Sequence, residues 1–587
     1  MSPENRIQKY LNFIYGELQG EQVRKLVLQR MAGFRQHHSL QKENSLPAGQ
    51  LTEQDAILIT YGDQIQESGK HPLHTLADFL HKQLAGAINC VHILPFYPYS
   101  SDDGFSVIDF YQVDPALGAW DDIARLDKNF RLMFDAVVNH ISSHSEWFQG
   151  YKQGKDPYQD YFISMDPDTA LSQVVRPRAL PLLTAVETKQ GTRHVWTTFS
   201  DDQIDLNYAN PQVLIEMIDV LLFYVEHGAE IIRLDAIAYL WKETGTSCIH
   251  LPQTHAVVKL FRAILDEIAP QALLITETNV PHADNISYFG DPLPGTGRTD
   301  EAQMVYQFPL APLVLHTFHT GNTHAISKWA ASLSTPSPGA TFFNFIASHD
   351  GIGVNPARGI LDETEIQALV DRTKTHGGQV SYKANPDGSK SVYELNITLY
   401  NALNDPNSPD NKVDRLRFMA SQFIMLSLAG VPGIYIHSLF GSRNCHTCVK
   451  KTGRARSINR EKFELAYLET ELQEPGSLKG EIFTHYKQLL SLRKDQAAFH
   501  PAGGQQILNL SESAFALLRT SPDKQEKILC LVNVTPNRQE VLFEPGAWGL
   551  PKARSFHDLI GREVYPLRES RLTLVLKSYQ TLWLKID

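Results

Sequence analysis

From Pro47 to about residue 497 the chain repeats one pattern, a short run of β-branched and aromatic residues followed by a stretch with helical spacing. AILITYGD leads to TLADFLHKQL, NCVHILPFYP to WDDIARL, and RLMFDAVVNH, after a long interval, to VLIEMIDVLLFYVEHG. AEIIRLDAI leads to THAVVKLFRAILDEIA, ALLITETN comes next, AQMVYQF leads to LVLHTFHTG, TFFNFIASHD to RLRFMASQFIMLSLAG, and VPGIYIHSLFG to EIFTHYKQLLSLRKD. Short, mostly apolar runs that feed helices predict a parallel sheet covered on both faces. There are eight of them, the number that closes a (β/α)₈ barrel.

The pattern is interrupted in four places. Residues 5–45 are polar, with Ile7, Tyr10, Leu11, Ile14, Tyr15 and Leu18 at helical spacing, which predicts two amphipathic helices packed on the main body. Two strand-to-helix connections, about Ile141 to Asn210 and Gly351 to Asp414, far exceed the usual few residues. Long connections at the C-terminal face of a barrel are where substrate pockets are built, so both read as inserted lobes over the active site. After Pro501 the runs AFALLRT, KILCLVNV, RLTLVLK and TLWLKI predict a terminal antiparallel β domain. The expected organisation is an extension over 1–50, the barrel over 51–140, 211–350 and 415–497, inserted lobes over 141–210 and 351–414, and a β domain over 498–587.

Charge removes several function classes. With 54 Lys+Arg against 65 Asp+Glu the net charge is −11, and no basic run offers a footprint for a phosphate backbone, so nucleic acid is not an expected partner. No signal-peptide core and no run of eighteen apolar residues occurs, so neither export nor membrane insertion is expected. Five cysteines, an odd number in a long chain, argue against a disulfide framework and for a reducing cytoplasm. Cys445-His446-Thr447-Cys448 could be half of a zinc site, but no second C-x-x-C or H-x₃-H follows at finger spacing, so it reads as a loop.

Four polar clusters stand at the C-terminal ends of expected strands, where a barrel carries its reactive groups: Asp135, Asn139 and His140; Arg233 and Asp235; Glu277 and Asn279; His349 and Asp350. A lone carboxylate after a strand is commonly a helix cap or turn residue. Three ending three strands of one barrel, beside an Arg and two His, read as a site. Carboxylates without a metal-ligand pattern point to glycosidic chemistry, in which one attacks the anomeric carbon and another protonates the leaving oxygen. Arg233, on the same strand face as Asp235, is expected to hold that carboxylate ionised. Glu277 has to keep its proton through burial or neighbouring negative charge, and Asp350 is expected to stay ionised and bind sugar hydroxyls.

DAVVNH, IIRLDAIAY, LITETN and IASHDG resemble the four signature segments of the α-amylase superfamily, glycoside hydrolase family 13. That resemblance implies that Asp235 is the nucleophile, Glu277 the acid/base and Asp350 the transition-state stabiliser, with His140, Arg233 and His349 in the glucose subsite. VHILPFYPYSSDDGFSVIDF, RPRALPLLT, VWTTFSDDQIDLN, KETGTSC, SHDGIG and INR resemble the sucrose phosphorylase group of that family. The group implies that Asp102 and Phe105 belong to the glucose subsite, that Phe199 and Gln203 border it, and that Arg460 reaches in from the loop after the last strand. Arg178, Tyr239, Lys242, Thr278, Asn279 and Arg358 are then expected on the acceptor and phosphate side.

Sucrose-specific members carry Glu-Val-His where this chain has Glu277-Thr278-Asn279, and Val-Gly-Tyr where it has Ile237-Ala238-Tyr239. The N-terminal extension, RPRALPLLT and ETNVPHADNISYFG resemble instead members of the group whose acceptor is glycerate. The implied reaction is retaining, reversible phosphorolysis of 2-O-α-D-glucosyl-D-glycerate to α-D-glucose 1-phosphate and D-glycerate, with no cofactor and no metal. The alternatives are a sucrose or sucrose 6-phosphate phosphorylase, an α-glucoside hydrolase, or an inactive barrel used for binding. A monomer or homodimer is expected.

Overall fold

The computed structural model describes residues 2–37, 50–178, 180–385, 389–550 and 553–587. The eight apolar runs form eight parallel strands: β1 (Ile57–Thr60), β2 (Cys90–Ile93), β3 (Arg131–Ala136), β4 (Ala229–Leu234), β5 (Leu273–Thr276), β6 (Met304–Tyr306), β7 (Thr341–Asn344) and β8 (Val431–Tyr435). Neighbours in sequence are neighbours in the sheet, and β8 closes onto β1 with Gly433 opposite Ile57. Almost every strand residue is buried, because helices cover the outside and side chains fill the inside. Gly433 meets that crowding directly: a Cβ there would collide with the Phe343 ring of β7. Gly433→Ala is therefore expected to cost about 1–3 kcal/mol of stability by overpacking, read as a lower thermal unfolding midpoint; an unchanged midpoint would mean that the ring can move aside.

The N-terminal segment forms α1 (Pro3–Tyr15) and α2 (Glu17–His37). Ser2 caps α1, its hydroxyl accepting from the Asn5 N–H at 3.4 Å, and Pro3 stands where a missing N–H costs nothing. Ile7, Tyr10 and Leu11 are buried. Arg6 pairs with Asp266 at 2.6 Å and Arg30 with Asp219 at 2.9 Å, fastening both helices to the outer ring of the barrel. Leu18, expected on the apolar stripe, is 89% exposed. Residues 38–45 of that polar segment lie outside the described residues.

Between β3 and β4 the chain forms a short antiparallel pair, His140–Ser142 with Gln203–Asp205, and a three-stranded sheet of Ser164–Met165, Leu183–Thr188 and Gly191–Trp196. Between β7 and β8 it forms a second three-stranded sheet, Ile352–Gly353, Gln379–Ala384 and Lys390–Asn396, together with the helix Glu363–Thr375. The C-terminal part holds a six-stranded antiparallel sheet and a separate two-stranded antiparallel sheet of Gln539–Phe543 and Leu572–Leu576. It is tied to the barrel by Trp583, which is fully buried, stacks on Phe423 at 4.8 Å between centroids and donates to the Ser427 hydroxyl at 2.9 Å.

Two expectations about cysteine need correction. Cys445 and Cys448 are joined in a disulfide, and they open the helix His446–Thr452 where a plain loop was expected. A C-x-x-C spacing places the two side chains on one turn, so the pair closes locally even though the total count is odd. No helix among the described residues is long and apolar enough to cross a membrane.

Candidate active site

The polar strand ends converge as the barrel register demands. Arg233 lies opposite Asp135 of β3 and Ile275 of β5, so its side chain enters the barrel mouth between the carboxylates of three strands. Its guanidinium pairs with Asp135, which also accepts from His92 Nε2 at 2.6 Å. It reaches Asp235 Oδ1 at 2.7 Å and Glu277 Oε2 at 4.0 Å, and its Nε donates to the Tyr306 hydroxyl at 3.0 Å. One cation therefore orders the two carboxylates that end β4 and β5. The backbone does the rest: Asp235 N–H donates to Ala136 O and Glu277 N–H to Leu234 O, each at 3.1 Å, so each residue is held by the preceding strand.

Ala236 follows Asp235 with φ +49°, in the left-handed region. That conformation costs an alanine free energy and persists only where its surroundings enforce it. Here it turns the Ala236 N–H onto Glu277 Oε2 at 3.1 Å.

On the opposite wall, Phe105 stacks face to face on His349, with centroids 5.0 Å apart and planes 6° apart. The Phe105 carbonyl lies 2.9 Å from His140 Nε2 and accepts from Gln203 Nε2 at the same distance. Phe199 leans on both His140 and Tyr239. The result is a cleft lined by Asp235, Glu277 and Asp350 together with Asp102, Phe105, His140, Phe199, Gln203, Arg233 and His349. Arg178, Tyr239, Thr278 and Asn279 line it as well.

Burial and charge shift the three carboxylates differently. Glu277 is pushed up to about 7 by burial, with the negative charges of Asp235 and Asp350 adding and Arg233 opposing. Asp350, although burial opposes it, is held well below the usual carboxylate range by Arg456, whose guanidinium lies 2.6 Å from Oδ1, and by Arg460. Asp235 is pulled both ways: burial raises its pKa, and the Arg233 ion pair lowers it, with burial the larger. Arg233 is shared with the fully buried Asp135, so only part of its charge serves Asp235. Burial lowers His349 to about 3, which leaves a neutral ring beside Asp350.

Three expected site residues lie elsewhere. Lys242 is buried away from the cleft, its ammonium 2.6 Å from Asp205 and donating to Asn139 Oδ1 at 2.8 Å; an internal carboxylate takes up its charge. Arg358 pairs with Glu363, at the start of its own segment's helix, and does not face the cleft. Arg460 stands behind the lining: it pairs with Asp103, donates to the His349 carbonyl at 2.8 Å, and lies 3.8 Å from Asp350. Conversely, Ala236, Tyr393, Glu394 and Arg456 line the cleft although the sequence patterns do not single them out. Ala236 falls inside the IIRLDAIAY segment, and Arg456 stands four residues before the Arg of the INR segment; Tyr393 and Glu394 carry no such signal.

Among the residues expected on the acceptor side, Arg178 lies over the Tyr393 ring at 5.9 Å. Asn279 donates to the Tyr393 hydroxyl at 3.3 Å and keeps a buried amide oxygen without a hydrogen-bond partner. Thr278 turns away from solvent, donating to Asn285 Oδ1 at 2.6 Å, while Asn285 donates to the Tyr306 carbonyl.

A closed parallel barrel with three carboxylates and an arginine at its C-terminal mouth defines the α-amylase class, and residues 79–350 match the family described as Alpha amylase, catalytic domain. The chain is 49% identical to the glucosylglycerate phosphorylase of Spirochaeta thermophila, covering 100% of this chain and 99% of that one. It is 29% identical to the sucrose phosphorylase of Bifidobacterium adolescentis, covering 71% and 82%. The crystal structure of sucrose 6F-phosphate phosphorylase from Thermoanaerobacter thermosaccharolyticum superposes with a TM-score of 0.70 at 25% identity, over 83% of this chain and 94% of that one. The protein belongs to the glucosylglycerate phosphorylase family of the α-amylase superfamily.

Proposed function

We propose that the protein catalyses the reversible phosphorolysis of 2-O-α-D-glucosyl-D-glycerate with retention of configuration. The observation that carries this reading is the match to a glucosylglycerate phosphorylase, 49% identical over 100% of this chain, against 29% over 71% of this chain for a sucrose phosphorylase. In the forward direction an Asp235 oxygen attacks the anomeric carbon as the bond to the glycerate oxygen breaks, and Glu277 gives that oxygen its proton. A β-glucosyl ester of Asp235 results. A phosphate oxygen then attacks the same carbon, the ester bond breaks, Glu277 takes back a proton, and α-glucose 1-phosphate leaves. A Glu277 pKa of about 7 suits a group that must both give and accept a proton near neutrality. Asp350, kept ionised, stabilises the oxocarbenium-like state.

Glycerate and phosphate are both anions entering a carboxylate-rich cleft, so they need a fixed cation. Arg178 fits this role, because it lines the cleft and no carboxylate among the described residues forms an ion pair with it. Arg178→Ala is expected to raise KM for phosphate and for glycerate by roughly 10- to 100-fold, the loss of one charge-assisted contact, as measured by initial rates in both directions. Equal KM values in the variant and the parent would remove Arg178 from the acceptor side.

The decisive experiment supplies glucose 1-phosphate with glycerate, glycerol, fructose or fructose 6-phosphate side by side, and in reverse supplies glucosylglycerate with and without phosphate. Glycerate should support synthesis best, and glucose 1-phosphate should form only with phosphate. A preference for fructose or fructose 6-phosphate would make the protein a sucrose or sucrose 6-phosphate phosphorylase. Free glucose released equally fast without phosphate would make it a hydrolase, and no turnover of any donor would leave a binding barrel.

A further inference from the structure

The strand Lys390–Asn396 belongs to the inserted segment and not to the barrel, yet it sends Glu394 into the active-site cleft. Glu394 is 1% exposed, and a carboxylate so deeply buried is tolerated only when paired. Its two oxygens accept from Arg456 Nε at 3.0 Å and Nη2 at 2.9 Å, a two-pronged contact that fixes the plane of the guanidinium. The remaining arm, Nη1, lies 2.6 Å from Asp350 Oδ1. Arg456 thus stands between a carboxylate of the inserted strand and a carboxylate of the barrel mouth.

The backbone is arranged around this contact. Glu394 is the register partner of Gly353, and a Cβ on the nearby Gly351 would come within 2.7 Å of Glu394 Cγ, so any side chain there would push Glu394 from its place. The short turn Ala455–Asn459 that carries Arg456 also grips the main chain of the Asp350 loop, for Asn459 Nδ2 donates to Ser348 O at 2.6 Å and to Asp350 O at 3.0 Å. One turn therefore holds both the backbone and the carboxylate of Asp350, and Glu394 decides where its arginine points.

We propose that Glu394 and Arg456 are positioning residues forming a relay, in which the inserted strand fixes Arg456 and Arg456 fixes the orientation and charge of Asp350 during glucosyl transfer. The proposal rests on the reading of Asp350 as the carboxylate that meets the reacting sugar, and it makes no use of the acceptor. Neither residue touches the anomeric carbon; both act through Asp350.

The test uses the full-length protein and α-D-glucosyl fluoride, whose cleavage requires neither glycerate nor phosphate, so that failure of the glycerate reading would leave it intact. Arg456→Met should lower kcat about 100-fold, the effect of a displaced catalytic group, with KM within about threefold. Glu394→Gln keeps the shape but loses the charge that orients Arg456, and should lower kcat about tenfold. In the double variant the losses should not multiply, and kcat should match Arg456→Met alone, because Glu394 acts only through the arginine. Arg456→Lys keeps the charge without the fork and should fall between the parent and Arg456→Met. Should Arg456→Met fail to fold, Arg456→Lys with and without Glu394→Gln gives the same comparison. Multiplicative losses, a Glu394→Gln protein at the parent rate, or effects confined to KM or to the unfolding midpoint would overturn the relay.

Discussion

Asp235→Asn should lower turnover by roughly 10⁴-fold or more, the scale seen when the nucleophile of a covalent mechanism is removed, while the protein stays folded. The substitution keeps the shape of the side chain and a hydrogen-bonding oxygen for Arg233, which lies 2.7 Å from Oδ1. It also takes a charge out of a site whose burial disfavours it, so the thermal midpoint should stay level or rise. What the variant lacks is an oxygen able to form the ester. Acid-quenched parent enzyme, mixed with a glucosyl donor in the absence of phosphate, should carry the mass of one hexosyl group on the peptide containing Asp235, and the variant should carry none. An adduct on another carboxylate, or a variant keeping a tenth of the parent rate, would remove Asp235 from the nucleophile's place.

The second large effect concerns Glu277 and pH. Its pKa of about 7, raised chiefly by burial, places the alkaline limb of kcat/KM near neutrality, since an acid that has lost its proton cannot protonate a departing glycerate oxygen. Glu277→Gln should abolish that limb and lower turnover of glucosylglycerate by about 10²- to 10⁴-fold, the usual contribution of general acid catalysis. Glucosyl fluoride, whose leaving group needs no proton, should suffer much less. Stability should move the other way. The folded-state pKa lies above the unfolded value of 4.5, so this carboxyl favours folding below pH 4.5 and loses that contribution as pH rises through about 7. Above pH 7 the ionised buried group costs the fold about 3 kcal/mol, the free energy by which the folded site prefers the protonated form. Glu277→Gln should therefore raise the unfolding midpoint at pH 8 and leave it nearly unchanged at pH 4; equal shifts at both would refute a raised pKa.

Much of this site is legible in the sequence. Asp235, Glu277 and Asp350 stand where three apolar runs end, and strands, helices and their termini are decided by local spacing, which the sequence displays. The roles of individual cations are not legible in that way. Arg460 belongs to the INR segment, but Arg456, on the same short turn, is the arginine that pairs with Asp350 at 2.6 Å while Arg460 is turned toward Asp103. A difference of four positions on an irregular turn sets opposite side-chain directions that no periodicity encodes. Lys242 is among the cations expected on the acceptor and phosphate side, yet Asp205, thirty-seven residues earlier in sequence, takes its ammonium into the interior.

The amino-acid order alone made legible the eight strands and helices of the barrel, the two long interruptions, the antiparallel C-terminal part and the three carboxylates, because each of these shows as a pattern within a few tens of residues. The tertiary structure alone decided how charge is shared: Arg233 divided between Asp135 and Asp235, Arg456 between Asp350 and Glu394, and Asp235 set between the lowering by Arg233 and the larger raising by burial. Ion pairs and desolvation act through space over a few ångströms, between residues far apart along the chain, and those distances exist only once the chain has folded.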